Sequence, residues 1–340
     1  MLEQIIQFFK TYSQEPILDC FQLPASGSAR ENFILKTESN TFVITHNENI
    51  RENESFFYFS EIFMQKSIPT PRILHISTDR KTYIQSFLGD TTLFQIIQKE
   101  GLSDRVKNLV KQVLIHLYAL QCKTQNEIDF SKTFEYEEYN DLPITHDLYY
   151  FKNFLVDVLE IHYHKSSLLK EFKTLTKRIE NLSPKGVMIR DFQSRNIMIN
   201  DNDEVGFIDY QSAMKGVLTY DVVSFLFQAK AHFPEDFKNE MLDFYYKLWN
   251  DEEVENQLKA SLDYIKLIRF MQVLGAYGFR GLIQRKAHFL ASLEQGIVNL
   301  TSFAKTFDAM QDFPTLANLI QELTTQNTKT KIQKILSGKH

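Results

Sequence analysis

Cysteine is nearly absent from this chain of 340 residues, occurring only as Cys20 and Cys122, and tryptophan occurs once. The two thiols lie far apart without metal-ligand spacing. They indicate neither a disulfide framework nor a cysteine metal site, and a reducing cytosol is their natural setting. Eight prolines and eleven glycines are thinly spread, with no low-complexity tract and no internal repeat. Basic residues are also in deficit: 38 Lys and Arg face 43 Asp and Glu, giving a net charge of -5 and a pI near 6.0. That balance offers no nucleic-acid-binding face. No apolar run approaches the length of a membrane span. The stretch from Met1 to Phe9 has no basic segment ahead of its apolar residues and reads as a short amphipathic helix. The expectation is a soluble, cytoplasmic, monomeric protein without nucleic-acid or membrane partners.

What the chain has in quantity is aromatic side chains. The 29 Phe and 15 Tyr, within a hydrophobic fraction of 43%, are enough for a sizeable core, and the length fits two lobes. The early part reads as strands: Ile17 to Lys36 as a pair joined by Pro24-Ala25-Ser26-Gly27-Ser28-Ala29-Arg30, then Thr41 to Thr45. Ile50 to Gln65 reads as a helix, with Phe56, Phe59, Ile62 and Phe63 at helical spacing. Pro69 and Pro71 end it. Short strands at Arg72 to Ser77 and Thr82 to Phe87 follow, and Leu88-Gly89-Asp90 breaks the pattern. From Thr92 onward helices take over. Arg105 to Cys122 comes first, and after a polar stretch from Lys123 to His146 come Asp147 to His162 and Ser166 to Asn181. Glu235 to Leu323 is read as all helix. Gly275, Gly278 and Gly281 inside that pattern each cost about 1 kcal/mol against Ala, which points to close helix contact or the approach of a ligand.

The most informative stretch is Val187-Met188-Ile189-Arg190-Asp191-Phe192-Gln193-Ser194-Arg195-Asn196, continued by Ile197-Met198-Ile199 and, after a polar turn, by Val205-Gly206-Phe207-Ile208-Asp209. It reads as an apolar strand, a sharp polar loop and a hairpin. Phosphoryl transfer from ATP needs a carboxylate to orient and deprotonate the attacking hydroxyl, and oxygen ligands to hold Mg²⁺ against the phosphates. An R-D-x-x-x-x-N loop followed by a hairpin and a second Asp supplies these from one unit. Asp191 would act as the base, and Asn196 and Asp209 would hold metal. Taken singly, each residue has a plainer explanation as an ordinary turn former. The ordered set between apolar strands is what points to the chemistry.

This segment resembles the catalytic and metal-binding loops of protein-kinase-like phosphotransferases, in particular the aminoglycoside phosphotransferase and choline kinase superfamily. Ile189 stands where that superfamily has a His before Arg-Asp. The resemblance implies an α+β, bilobal protein-kinase-like fold, with a small N-terminal β-sheet lobe (1–88) for the nucleotide. A large, mainly helical C-terminal lobe (89–340) would serve catalysis and acceptor binding. It implies ATP and Mg²⁺ as cofactors. Ser26, Gly27, Ser28 and Arg30 would lie on the phosphate side, Gly89 at the hinge, and Arg195 would neutralise charge beside the transferred phosphoryl. Where a protein kinase carries the strand Lys that pairs with phosphates, this chain has Thr45 and His46. Lys36, Arg30 and Lys81 are the candidate substitutes. Glu52 and Glu54 read first as helix-dipole partners, and the resemblance would let one of them be the helix carboxylate of such a site. Asp221 has an N-cap explanation.

A finer resemblance concerns the acceptor. S-G-S-A-R, R-D-F-Q-S-R-N-I-M, F-I-D-Y-Q-S-A, T-Y-D-V-V-S and R-F-M-Q-V-L-G-A-Y-G-F together are similar to bacterial anomeric sugar kinases acting on N-acetylmuramate and N-acetylglucosamine in cell-wall recycling. That similarity implies an amino-sugar acceptor. Two alternatives stand beside it: an aminoglycoside- or choline-type kinase of the same fold, and a catalytically inert kinase-like binding or regulatory module.

Overall fold

A computed structural model describes residues 1–24 and 29–337. The chain divides into two compact units, Met1–Glu137 with Gly186–Met214, and Glu138–Lys185 with Lys215–His340. The boundary expected between residues 88 and 89 falls inside the first unit.

The first unit opens with α1 (Leu2–Tyr12) and a five-stranded antiparallel sheet of β1 (Ile17–Gln22), β2 (Glu31–Thr37), β3 (Thr41–His46), β4 (Ile73–Ile76) and β5 (Thr82–Ser86), in the order β1-β2-β3-β5-β4. Period-two alternation turns Phe33, Leu35, Phe42, Ile44 and Ile84 to one face. There they are buried with Ile5 and Phe9 of α1. Between β3 and β4 runs α2 (Ile50–Gln65), started by Asn49, whose side chain accepts the backbone N–H of Glu52. Next come β6 (Thr91–Thr92), α3 (Leu93–Glu100) and α4 (Asp104–Lys123). The sequence reading of α2, α4 and the five strands agrees with these elements to within two residues at each end.

The chain re-enters this unit at β7 (Lys185–Met188) and continues through β8 (Ile197–Ile199) and β9 (Val205–Phe207). In a second sheet β6 pairs with β8, and β8 with β9, all antiparallel. Phe207 N–H also donates to Pro69 O at 2.7 Å, and Arg105 of α4 grips Asp203 in the hairpin turn, its Nη2 2.6 Å from Oδ1.

The second unit contains α5 (Asp141–Phe151), α6 (Lys165–Glu180), α7 (Thr219–Leu226), α8 (Glu235–Leu248), α9 (Glu252–Ala276), α10 (Ala287–Ala304), α11 (Pro314–Glu322) and α12 (Gln326–Ser337), entered through β10 (Met214–Val217). Two expectations are corrected here. Helix α5 begins six residues before the expected Asp147, because Asn140 caps it by accepting Leu142 N–H at 3.2 Å. Its Pro143 lies in the first turn, where no N–H is needed. Asp221 is not an N-cap: it lies within the first turn of α7, fully buried, and the cap position is Leu218. The late glycines serve helix contact. A Cβ on Gly278 would lie 2.0 Å from Phe154 O, and one on Gly275 2.8 Å from Phe151 N. Among the described residues no helix is long and apolar enough to cross a membrane.

Candidate active site

The loop after β7 is shaped by its own backbone. Val187, Met188 and Ile189 are buried, and Arg190 then turns into the left-handed region at φ 74°. Asp191 N–H folds back onto Ile189 O at 3.0 Å, and Asn196 N–H closes the loop on Gln193 O at 2.8 Å. Strand β9 returns in register, Ile197 opposite Phe207 and Ile199 opposite Val205. Immediately after it, Asp209 is again left-handed at φ 66°. Left-handed non-glycine residues cost about 1–3 kcal/mol each and persist where the surroundings over-determine them, as at functional sites.

Asn196 joins the two aspartates. Its Nδ2 donates to the backbone O of Asp191 at 2.9 Å and to Asp209 Oδ2 at 3.2 Å. The opposite oxygen of Asp209 accepts from Gln211 Nε2 at 3.2 Å and from Arg30 Nη2. Arg30 Nη1 donates to Gln211 Oε1 at 3.0 Å, and its Nε lies 3.6 Å from Glu52 Oε1. Six residues from four chain segments thus form one charged group: Asp191, Asn196, Asp209 and Gln211 with Arg30 and Glu52. Burial pushes the Asp209 carboxyl up, but the Arg30 guanidinium, the Gln211 hydrogen bond and the charge of Arg195 outweigh it and hold the group below the ordinary carboxylate range.

Helix α2 holds this group from behind. Tyr210 is fully buried and stacks on Phe56, and its hydroxyl meets Ser60 Oγ at 2.7 Å. Ser55 Oγ donates to Gln211 O at 2.7 Å. The run Asp209-Tyr210-Gln211 is therefore pinned residue by residue.

Of the residues singled out from sequence, Asn196, Asp209 and Arg30 come together, with Asp191 joined through Asn196. Asp191 and Arg195 are exposed. Ser26, Gly27 and Ser28 lie outside the described residues. Gly89 is set apart from the charged group. It has φ 119°, a Cβ there would lie 2.7 Å from Ile199 O, and it lines a cavity of about 530 Å³ with Leu88, Asp90, His116, Glu204 and Gly206. Of the candidate cations, Lys36 is exposed, with Nζ 6.0 Å from the centre of the Phe21 ring, and Lys81 pairs with Glu48 at 2.5 Å. Of the two helix carboxylates, Glu54 turns away to Arg80, while Glu52 faces Arg30. Gln211 and Tyr210 were missed as site residues; their signal was adjacency to Asp209.

Comparison with known proteins decides the family. A model of the phosphotransferase enzyme family matches residues 21–258, well over half of the chain. The chain belongs to that family. A curated relative of this phosphotransferase, the N-acetylmuramate/N-acetylglucosamine kinase of Neisseria meningitidis serogroup B, is 25% identical over 187 residues, which is 54% of this chain and 52% of that one. The match thus spans about half the length of the relative. Among solved structures, the choline kinase of Streptococcus pneumoniae is similar with a TM-score of 0.59 at 12% identity, covering 88% of this chain and 99% of that one. A spectinomycin phosphotransferase in complex with ADP and spectinomycin has a TM-score of 0.57 at 12% identity and covers 98% of both chains. These structural likenesses establish the α+β kinase-like fold: an N-terminal antiparallel sheet followed by a mostly helical C-terminal part.

Magnesium fits the donor set. Asp209 and Asn196 offer hard oxygen atoms, and Mg²⁺ in nucleotide sites takes one or two protein carboxylates, with substrate phosphates and water completing its shell. No cluster of three or more His, Cys, Asp or Glu that could hold a metal exists among the described residues. A metal of that kind is not what this arrangement would need.

Proposed function

We propose that this phosphotransferase transfers the γ-phosphoryl of ATP to a hydroxyl of an amino sugar of the N-acetylmuramate or N-acetylglucosamine type, acting as a cytoplasmic monomer. The observation that carries the reading is the Asn196 amide, which ties the Asp191 loop to the Asp209 carboxylate within 3.2 Å. Asp191 accepts the proton of the attacking hydroxyl as its oxygen bonds to phosphorus and the bond to the ADP oxygen breaks. Asn196 and Asp209 would hold Mg²⁺, which would neutralise charge on the phosphates. Arg195 adds positive charge at the edge. In this reading residues 1–88 are the nucleotide lobe, residues 89–340 carry catalysis and the acceptor, and Gly89 is the hinge beside the base.

The amino-sugar acceptor rests on the similarity to the Neisseria kinase and on the motifs shared with anomeric sugar kinases. A choline-type or aminoglycoside acceptor is the second reading, favoured by the likeness to the choline kinase. A cationic acceptor calls for carboxylates around it. The test is ADP release with a panel of amino sugars, choline and aminoglycosides. Asp191→Ala is expected to lose about 10²–10⁴-fold in turnover, the usual contribution of a general base, with ADP binding retained. Undiminished turnover in that variant removes the assignment. Turnover with choline alone moves the acceptor to the second reading.

A further inference from the structure

The first unit has a positional puzzle: the strand position that carries a phosphate-binding Lys in protein kinases is occupied by a neutral residue. The Thr45 hydroxyl donates to Asn32 Oδ1 at 2.8 Å and accepts from Gln85 Nε2 at 3.1 Å, so it is absorbed into the sheet. His46 points the other way along the pleat, its Nδ1 3.0 Å from Thr82 Oγ1. Asn32 lies directly opposite Thr45 in the β2–β3 register. Two residues before Asn32, just ahead of β2, comes Arg30.

Resting on the nucleotide-dependent reading above, we infer that Arg30 is the phosphate-binding cation of this enzyme, moved from β3 to the head of the neighbouring strand, with Glu52 of α2 as its anchoring carboxylate.

Three observations carry the inference. The hydrogen bonds of Arg30 enter the charged group, through Asp209 and Gln211. Its side chain is 16% exposed, and Nε is sealed from solvent without a hydrogen bond, 3.6 Å from Glu52 Oε1. The fork therefore has donor capacity it does not use. Third, the ion-pair logic of a kinase survives with one partner exchanged. A helix carboxylate faces a buried cation, and the cation touches the metal-binding aspartate. A guanidinium suits this longer reach because its planar fork binds phosphate oxygens in pairs. Arg30 and Gln211 both donate to the same Asp209 oxygen, so a guanidinium there would stand beside the metal site and could reach phosphate oxygens next to it.

The experiment measures binding of ADP and of adenosine, each with Mg²⁺, to the full-length wild type, Arg30→Lys, Arg30→Ala and Arg30→Ala/Thr45→Lys. Loss of charge-assisted bonds to phosphate is expected to weaken ADP by roughly 10- to 100-fold in Arg30→Ala, while adenosine, which has no phosphates, binds as in the wild type. Thr45→Lys is expected to restore part of the ADP affinity. Arg30→Lys guards against a misfolded Arg30→Ala and is expected to fall between it and the wild type. Equal loss of ADP and adenosine affinity would mark Arg30 as merely structural and overturn the inference. ADP affinity unchanged in Arg30→Ala overturns it too. A wild type that binds neither ligand would instead sink the nucleotide-dependent reading itself.

Discussion

The rings of Phe56 and Tyr210 stack with centroids 4.8 Å apart and planes 23° from parallel, so the residue after Asp209 is clamped to helix α2. Phe63 closes on the same tyrosine edge-on at 5.2 Å. Tyr210→Ala is expected to lower the stability of the first unit by about 3–5 kcal/mol, the usual range for emptying a buried aromatic site. Tyr210→Phe removes only the hydroxyl bond to Ser60, worth about 1 kcal/mol. Urea unfolding of both variants measures the difference.

Asp209→Asn keeps the shape of the side chain and removes its charge. The Arg30 guanidinium then loses its strongest partner, and a destabilisation of about 1–3 kcal/mol is expected for a charged group left short of hydrogen bonds. Mg²⁺-dependent tightening of ADP binding is expected to disappear. Titrating ADP with and without Mg²⁺ checks this, and tightening equal to that of the wild type would contradict the metal assignment.

At Gly89 a methyl group meets two obstacles. The backbone φ of 119° is strained for any side chain, and the new atom would stand 2.7 Å from Ile199 O. Gly89→Ala is expected to cost about 1–3 kcal/mol through strain and overpacking. It should raise the KM for ATP more than it lowers kcat. A kinetic and thermal-unfolding comparison with wild type tests both.

His116 of α4 stands edge-on to Phe207 at 6.4 Å. Burial, aided by the charge of Lys123, holds its pKa below the ordinary value. The unfolded chain therefore binds the proton first as pH falls. Stability declines through the window from about 6.5 down to the lowered folded value, and the contribution of His116 is intact above it. His116→Gln is expected to flatten this slope, as measured by urea unfolding at several pH values between 5 and 8.

The hairpin that carries Asp191, Asn196 and Asp209 was legible because its pattern is local in sequence. The spacing of Asp191 to Asn196 is a loop property, and Asp209 follows after one turn of a register that apolar alternation fixes. The strands and α2 were legible for the same reason, since period and breakers are short-range signals. What could not be read was any partnership that crosses the chain. Arg30 meets Asp209 across 179 residues, and only tertiary contact tells it from Lys36, which is exposed beside Phe21. Glu52 and Glu54 are indistinguishable by helix-dipole arguments, and tertiary contacts alone assign one to Arg30 and the other to Arg80. The start of α5 was displaced because its first turn lies in a stretch read as polar connection, and the cap at Asn140 was not recognised.

The division of the chain carries a consequence for its biosynthesis. The unit that begins at Met1 is interrupted after Glu137 and resumes only at Gly186, so a ribosome exposes Arg30 and Glu52 long before it has made their counterpart. A nascent chain stopped at Glu137 would present Phe56, Ser60 and Phe63 to solvent without the tyrosine that covers them. Amino-terminal fragments of this protein are thus predicted to need chaperone protection until Asp209 and Tyr210 have been translated.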